Sequence, residues 1–156
     1  MPKPILQAMV LADHVYQDRL TGKHIISGTF TTILFGTAKV ALTGEGDDQR
    51  KVTSQPITKA GSPYLYLALV EVHGELPLSL KFVDLSDSSV LFEAQFVVTA
   101  VDPVAVAEYI LPMPELPTTR VGNFSLDLLH NGEILGSWRI TVRKVEEQAT
   151  EPGADQ

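Results

Sequence analysis

Apolar and polar residues alternate along most of the chain with the period of two that is typical of half-buried β-strands. The alternation is clearest over residues 124–142, where two such runs flank Asn131-Gly132. A type I′ turn needs a positive φ at both central positions, and asparagine and glycine tolerate that conformation. The pattern therefore predicts an antiparallel hairpin with a fixed register. Its inward-facing residues are predicted to be Phe124, Leu126, Leu128, Ile134, Trp138, Ile140 and Val142.

A second hairpin is predicted near the beginning of the sequence, from apolar-rich runs over residues 5–16 and 24–35. The polar residues 17–23 between them include Gly22 and are typical of a loop of modest length. β-Branched residues are frequent in the second run, which favours a strand over a helix. Gly28 inside that run predicts a β-bulge.

Three further strands are predicted in the middle of the chain. Residues 64–72 are apolar on both faces, so this strand is expected to be central in its sheet and covered on each side. Residues 76–85 and 90–98 each have one apolar and one polar face, and turn-forming residues lie between them. The inward-facing residues of these two strands are predicted to be Leu78, Leu80, Phe82, Phe92, Ala94, Phe96 and Val98.

Two stretches interrupt the alternation. Within residues 36–63 only a short strand at 39–42 is indicated, and the pattern leaves open whether this connection is ordered. Residues 104–108 have the spacing of a helical turn, and Pro112, Pro114 and Pro117 follow. Because proline cannot donate a ladder hydrogen bond, this segment is predicted either to cross between sheets or to lie along a sheet edge, which it would protect from pairing.

Together these elements predict an all-β protein with about eight strands. Short connections and few helical signals indicate a two-layer antiparallel β-sandwich with an immunoglobulin-like or C2-like arrangement. The 156 residues suffice for one domain with a substantial core, which we place at residues 1–143. Residues 144–156 are acidic and poor in apolar side chains, and they are predicted to form a disordered tail.

Composition narrows the classes of function. The chain has no cysteine, which excludes disulfides, thiol catalysis and cysteine-based metal sites and fits the cytoplasm. Nineteen acidic and twelve basic residues give a formal charge of −7, and the basic residues are scattered. Because nucleic acids and anionic membranes bind mainly through clustered positive charge, neither is an expected partner. No apolar stretch approaches the roughly 18 residues that a membrane-spanning helix needs.

Catalytic motifs are missing from the sequence. It has no nucleophile elbow, glycine-rich phosphate loop or His-Glu-x-x-His spacing, so no catalytic, cofactor-binding or metal-ligating residue is assigned and an enzyme is not expected. Glu71 and Glu93 would suit acid–base catalysis if the fold paired them, but single glutamates on strands usually face solvent. His14 and His24 are expected to approach each other across the first hairpin, which is too few ligands for zinc. The histidines are His14, His24, His73 and His130.

Two ligand-binding alternatives stay open. Calcium binding would use carboxylates in predicted loops, provided that the fold gathers about six to eight of their oxygens. Carbohydrate binding would use Tyr64 and Tyr66 as an exposed stacking surface with Trp138 nearby, although the size of Trp138 favours a place in the core. The loop carboxylates are Glu45, Asp47, Asp48, Asp84, Asp87 and Asp102.

Residues 9–16, 21–23 and 28–30, together with the closing hairpin at 122–142, resemble a family of small uncharacterised bacterial proteins. That family is a domain of unknown function with a predicted β-sandwich. The resemblance spans residues 5–142, its motifs are structural, and it implies the fold without implying any catalytic residue. The closing hairpin also looks like the last two strands of many immunoglobulin-like and C2-like modules.

The function that these observations favour is a non-enzymatic interaction module in the bacterial cytoplasm, which binds another protein or a second copy of itself. Residues 110–114 are apolar and rich in proline, and they are the predicted docking segment. Calcium or carbohydrate binding through loop carboxylates or exposed tyrosines is the alternative.

Overall fold

The computed structural model describes residues 2–40, 53–58, 62–117 and 120–144, and these residues form an all-β protein. The described ranges contain ten strands and no helix. In chain order the strands are β1 (Ile5–Gln17), β2 (His24–Thr29), β3 (Thr32–Val40), β4 (Thr53–Thr58), β5 (Tyr64–Val70), β6 (Gly74–Asp84), β7 (Ser89–Ala100), β8 (Ala107–Pro112), β9 (Gly122–His130) and β10 (Glu133–Lys144).

The strands form two sheets. Sheet A has four strands in the order β2-β1-β5-β8, and sheet B has six in the order β4-β3-β10-β9-β6-β7. Strands β3 and β10 run parallel, whereas the other paired neighbours are antiparallel. The predicted all-β sandwich is therefore confirmed, with more strands than the roughly eight expected and with one parallel pair.

One hydrophobic core lies between the sheets. Leu65, Leu67 and Leu69 of β5 are fully buried in it from sheet A. From sheet B, the rings of Phe82 on β6 and Phe124 on β9 stack with their centroids 5.4 Å apart. Because burial of each such side chain contributes about 1.5–3 kcal/mol, this shared core is what holds the two sheets together.

The strand predicted at residues 24–35 is two strands in the structure. Strand β2 ends at Thr29 in sheet A, and β3 begins at Thr32 in sheet B. The Trp138 indole donates a 3.0 Å hydrogen bond to the Phe30 carbonyl, which satisfies a backbone acceptor at this corner. The predicted bulge at Gly28 is wrong, since the pairing of β1 with β2 keeps one register throughout.

The closing hairpin has the predicted turn. Asn131 and Gly132 have φ angles of 49° and 80°, as a type I′ turn requires. The predicted register holds only in part, because a bulge shifts the pairing of β9 and β10 between Ile134 and Gly136. The prediction that Ile134 faces inward is consequently wrong, and 57% of its surface is exposed.

Two other predicted segments differ from the structure. The helical turn predicted at residues 104–108 is wrong, since the chain turns at residues 103–105 and β8 begins at Ala107. Pro112 ends β8, which lies at the edge of sheet A, so the edge position is the one of the two predicted alternatives that the structure has. Of residues 36–63, the structure describes the end of β3, β4 and residues 62–63. The predicted tail, apart from its first residue at the end of β10, lies outside the described residues. None of the described segments forms a helix that is long and apolar enough to cross a membrane.

Candidate functional site

The edge strands of the two sheets differ in how well they are protected from pairing. Within the described ranges the edges are β2 and β8 of sheet A and β4 and β7 of sheet B. Strands β2, β4 and β8 have six residues each, and β4 and β8 contain Pro56 and Pro112. Strand β7 has twelve residues, no proline or glycine, and Glu93 as its one charged residue. A long edge without these protective features is a surface on which another strand can pair.

A contact near the end of β7 shows which way the backbone N–H and carbonyl groups of this strand point. The Tyr109 hydroxyl accepts a hydrogen bond from the Thr99 N–H at 2.8 Å and donates one to the Thr99 carbonyl at 2.9 Å. Both Thr99 groups therefore point away from β6, towards the open side of the sheet. Backbone groups of alternate residues point to the same side of a strand, so those of Glu93, Gln95 and Val97 also face the open side.

Apolar side chains accompany this open backbone. Val97 is 54% exposed and Leu91 is 38% exposed, and both lie on the outer face of sheet B together with Glu93 and Gln95. A groove of about 370 Å³ runs beside them on the same face, and its lining includes Pro77, Ser79, Gln95, Val97 and Leu129. We call Leu91–Val97 and its open backbone groups the β7 edge. It combines apolar side chains with hydrogen-bonding groups that no described strand pairs with, which is what strand addition requires.

A cluster of titratable side chains lies on the outer face of sheet A. The Tyr66 hydroxyl donates a 2.5 Å hydrogen bond to Glu108 Oε2, and His24 Nδ1 lies 2.5 Å from the same oxygen. The His24 contact is not aligned as a hydrogen bond, so it is a charge contact when the imidazole is protonated. The rings of His24 and Tyr66 are 5.6 Å apart. Since β2 and β8 are the two edge strands of sheet A, these contacts tie its opposite edges together.

The electrostatics of this cluster favour a structural role. Burial, followed by the hydrogen bond and negative charge of Glu108, raises the pKa of Tyr66 to about 12. A phenol held neutral in this way is a poor general base near neutral pH. One carboxylate oxygen of Glu108 serves both neighbours, and this arrangement accounts for the positions of all three side chains. The sequence did not single out Glu108, since one glutamate on a short strand carries no recognisable signal.

Two of the predicted calcium-binding carboxylates, Asp84 and Asp87, lie close together, but the cation that they share is the side chain of Arg120. Asp84 is buried and accepts hydrogen bonds from the Ser86 N–H at 2.9 Å and the Ser86 hydroxyl at 2.7 Å. Arg120 donates from Nε to Asp84 Oδ2 at 2.7 Å and lies 3.4 Å from Asp87 Oδ2. The hydrogen bonds from Ser86, followed by those from Arg120, hold the pKa of Asp84 below its usual range. These contacts fix the β6–β7 turn to the approach of β9.

The remaining predicted calcium ligands lie apart from this pair or outside the described ranges. Asp102 accepts a 3.0 Å hydrogen bond from the Val104 N–H and stabilises its own turn. Among the described residues no three side chains of the metal-ligating types come together. Glu45, Asp47 and Asp48 lie outside the described residues. The calcium alternative stays a prediction, and the part of the chain that the structure describes provides no ligand set for it.

The other predicted site residues are separated. His14 is opposite Ser27 in the first hairpin and His24 is opposite Gln17, so the two histidines are not cross-strand neighbours. Glu71 lies in the turn after β5 and its carboxylate is 3.7 Å from His73, whereas Glu93 is opposite Lys81. His130 Nδ1 contacts the Pro77 carbonyl at 2.9 Å.

The aromatic surface and the docking segment also differ from expectation. Tyr64 and Tyr66 share the outer face of sheet A, but Trp138 packs against the core from sheet B, as its size suggested. No three-ring stacking surface forms from these residues, so carbohydrate binding stays a prediction. Within residues 110–114, Met113 is buried and Leu111 packs against the core. That segment therefore contributes mainly to the fold.

No protein-family model matches the chain, and no curated protein is similar to it. The resemblance to small bacterial β-sandwich proteins stays a prediction.

Proposed function

We propose that this protein is a non-enzymatic interaction module of the bacterial cytoplasm, which binds its partner by strand addition at the β7 edge. In this mode an extended segment of the partner lies beside β7 and completes its hydrogen-bond ladder. Main-chain hydrogen bonds supply the affinity, and side chains on the two faces supply the specificity.

The observation that carries the proposal is the contrast between β7 and the other edges. Strands β2, β4 and β8 are half as long, and β4 and β8 contain a proline. Natural sheets protect their edges with such features because an open ladder pairs with other chains. Among the described strands, three edges are short, two of them contain proline, and the longest edge is open, so that edge is expected to be the one used.

Absence of cysteine supports the cytoplasmic part of the proposal, because cytoplasmic proteins rarely need disulfides. The acidic balance of the chain supports a protein partner over a nucleic acid or an anionic membrane, since both of those are themselves negatively charged.

Photo-crosslinking inside cells tests the proposal. A photoreactive residue replaces Val97 on the β7 edge or, as a matched control, Ile134, whose exposure of 57% is close to the 54% of Val97. We expect a dominant crosslinked product from position 97 and at most weak products from position 134. Equal yields from the two positions, or none from position 97, would overturn the proposal.

A proline variant distinguishes strand addition from nonspecific association through apolar side chains. The Gln95 N–H points to the open side of β7, so Gln95→Pro removes an edge donor without removing a bond to β6. We expect this variant to melt within a few degrees of the wild type and to lose the product from position 97. Persistence of the product in a folded Gln95→Pro protein would count against strand addition.

A further inference from the structure

We infer that the occupant of the β7 edge is the same edge of a second copy, paired antiparallel around a two-fold axis at Ala94. This inference rests on the proposed function and goes beyond it by naming the partner and the register. The two sheets B would then form one continuous sheet of twelve strands across the dimer.

The open stretch of β7 has a defined start. The pairing with β6 shifts between Phe82 and Val83, so that Phe92 is opposite Phe82 and Val90 is opposite Val83. Leu91 is the extra residue of this bulge. Val90 and Leu91 are both exposed, whereas exposed and half-buried positions alternate regularly from Leu91 to Val97. The regular part of the edge therefore begins at Leu91, on the far side of the bulge.

The open stretch also has a defined end. Tyr109 already satisfies the N–H and the carbonyl of Thr99, so the last residue with free edge groups is Val97. The open stretch consequently runs from Leu91 to Val97, and its midpoint is Ala94. A two-fold axis at Ala94 uses every open position of both strands, whereas an axis shifted along the strand leaves some unpaired or places them against Thr99.

The position of the charged residue Glu93 favours the same register, with the two-fold axis at Ala94. With the axis at Ala94, Glu93 is opposite Gln95 of the second copy, and the amide can donate to the carboxylate. An axis at Glu93 would place two glutamates directly opposite each other, which is destabilising in a sheet. An axis at Gln95 would place Leu91 opposite Thr99, whose backbone groups are already bonded to Tyr109.

Apolar pairs match on both faces of the sheet in this register. On the outer face, Leu91 of one copy is opposite Val97 of the other, and both residues are exposed. On the inner face, Phe92 of one copy is opposite Phe96 of the other. Both phenylalanines are half-buried at the rim of the core. Cross-strand pairs of aromatic and β-branched residues are among the favourable pairs of an antiparallel ladder.

The formal charge of −7 on each copy opposes association. The β7 edge itself contains one charge, Glu93, so the repulsion is long-range and is screened by salt. Dimerisation is therefore expected to strengthen as the salt concentration rises, opposite to the behaviour of an interface held by ion pairs.

Single cysteines in this cysteine-free chain test the register. In the inferred dimer the two copies of residue 94 form a non-hydrogen-bonded pair with Cα atoms about 4.5 Å apart, within the range of disulfides. The two copies of residue 93, and likewise of residue 95, are roughly 9 Å apart, which is too far. The variants are Ala94→Cys, Glu93→Cys and Gln95→Cys.

Under mild oxidation Ala94→Cys is expected to form a disulfide-linked dimer at least about tenfold faster than the other two variants, since separation beyond about 7 Å prevents bridging. Faster linkage of Glu93→Cys or Gln95→Cys would overturn the register. Equal and slow linkage of all three would overturn the inference as a whole.

Sedimentation of the purified chain tests the dimer without cysteines. Val97→Lys and its matched control Ile134→Lys make the same charge change at similar exposure. We expect Val97→Lys to raise the dimer dissociation constant at least about tenfold, equivalent to 1.4 kcal/mol, and Ile134→Lys to leave it unchanged. A wild type that stays monomeric at high concentration and high salt would overturn the inference. If position 97 still crosslinks to a different protein in cells, the proposed function stands while the second copy is excluded.

Discussion

At the scale of single residues, Gly28 and Gly132 both have the left-handed backbone conformation, but only Gly28 has a neighbour that an added side chain would touch. Gly28 has a φ of 75° and Gly132 a φ of 80°. A Cβ at Gly28 would lie 2.7 Å from Asp13 Oδ2, whereas a Cβ at Gly132 would meet nothing within 4 Å. A substitution at Gly132 therefore measures the cost of the left-handed backbone conformation alone.

We expect Gly132→Ala to lower the free energy of unfolding by about 1–2 kcal/mol, the cost of a left-handed alanine. Gly28→Ala is expected to cost more, because the new methyl group also displaces the Asp13 side chain. Urea denaturation of both variants measures the difference. Equal losses would contradict this expectation, because they would show that the Asp13 side chain moves away from the new methyl group without cost.

Tyr66 predicts how stability changes at alkaline pH. Because its pKa is about 12 in the folded protein and near 10 when unfolded, the unfolded chain loses this proton first. Its contribution to stability is fully present below pH 10 and is lost as the pH rises from 10 to 12. In Tyr66→Phe this decline is expected to be shallower than in the wild type, as measured by denaturation at pH 9, 10 and 11.

Glu108→Gln serves as the partial control. It removes the negative charge that contributes to the raised pKa of Tyr66 but leaves the burial that contributes most. Its alkaline decline is expected to lie between those of the wild type and Tyr66→Phe. Identical declines in all three proteins would contradict the contacts described for the His24, Tyr66 and Glu108 cluster.

At the scale of elements, Asp84 links the β6–β7 turn to the segment that enters β9. Its pKa is lowered mainly by the two hydrogen bonds from Ser86 and also by Arg120. The contribution to stability is therefore present above the unfolded value near 3.9 and is lost as the pH falls through the lowered folded value. Asp84→Asn is expected to be less stable than the wild type at pH 7, with the difference shrinking at pH 3. A difference that is constant with pH would contradict this.

Tyr109 binds the backbone N–H and carbonyl of Thr99, just beyond the end of the β7 edge. Tyr109→Phe removes both hydrogen bonds to Thr99, which are worth about 0.5–1.5 kcal/mol each. We expect the Thr99 amide to exchange with solvent faster in this variant, while the amide of Val98, on the β6 side of the strand, keeps its rate. Unchanged exchange at Thr99 would mean that another group protects it.

At the scale of the whole molecule, alternation predicted which faces are buried because a strand places successive side chains on opposite faces. Phe82, Leu126 and Ile140 are fully buried for this reason. The bulge that exposes Ile134 was not predictable, because it depends on the pairing of β9 with β10. The end of β2 was missed likewise, since its corner is bonded to Trp138, 108 residues away.

The candidate site was predicted less well than the fold. That β7 is an edge depends on the order of strands in sheet B, which no local pattern contains. The ion pair of Asp84 with Arg120 joins residues 36 positions apart, so the sequence suggested loop carboxylates without their cation. The signal that was present is compositional: residues 89–100 contain no proline, no glycine and one charge.

Amide hydrogen exchange along β7 in the dilute wild-type protein tests the central claim most directly. An open edge predicts alternating protection, in which the amides of Glu93, Gln95 and Val97 exchange at least about tenfold faster than those of Ala94 and Phe96. The three fast amides should become protected as the protein concentration rises. Slow exchange of all five amides at high dilution would show that β7 is already paired on both sides, and would contradict the account.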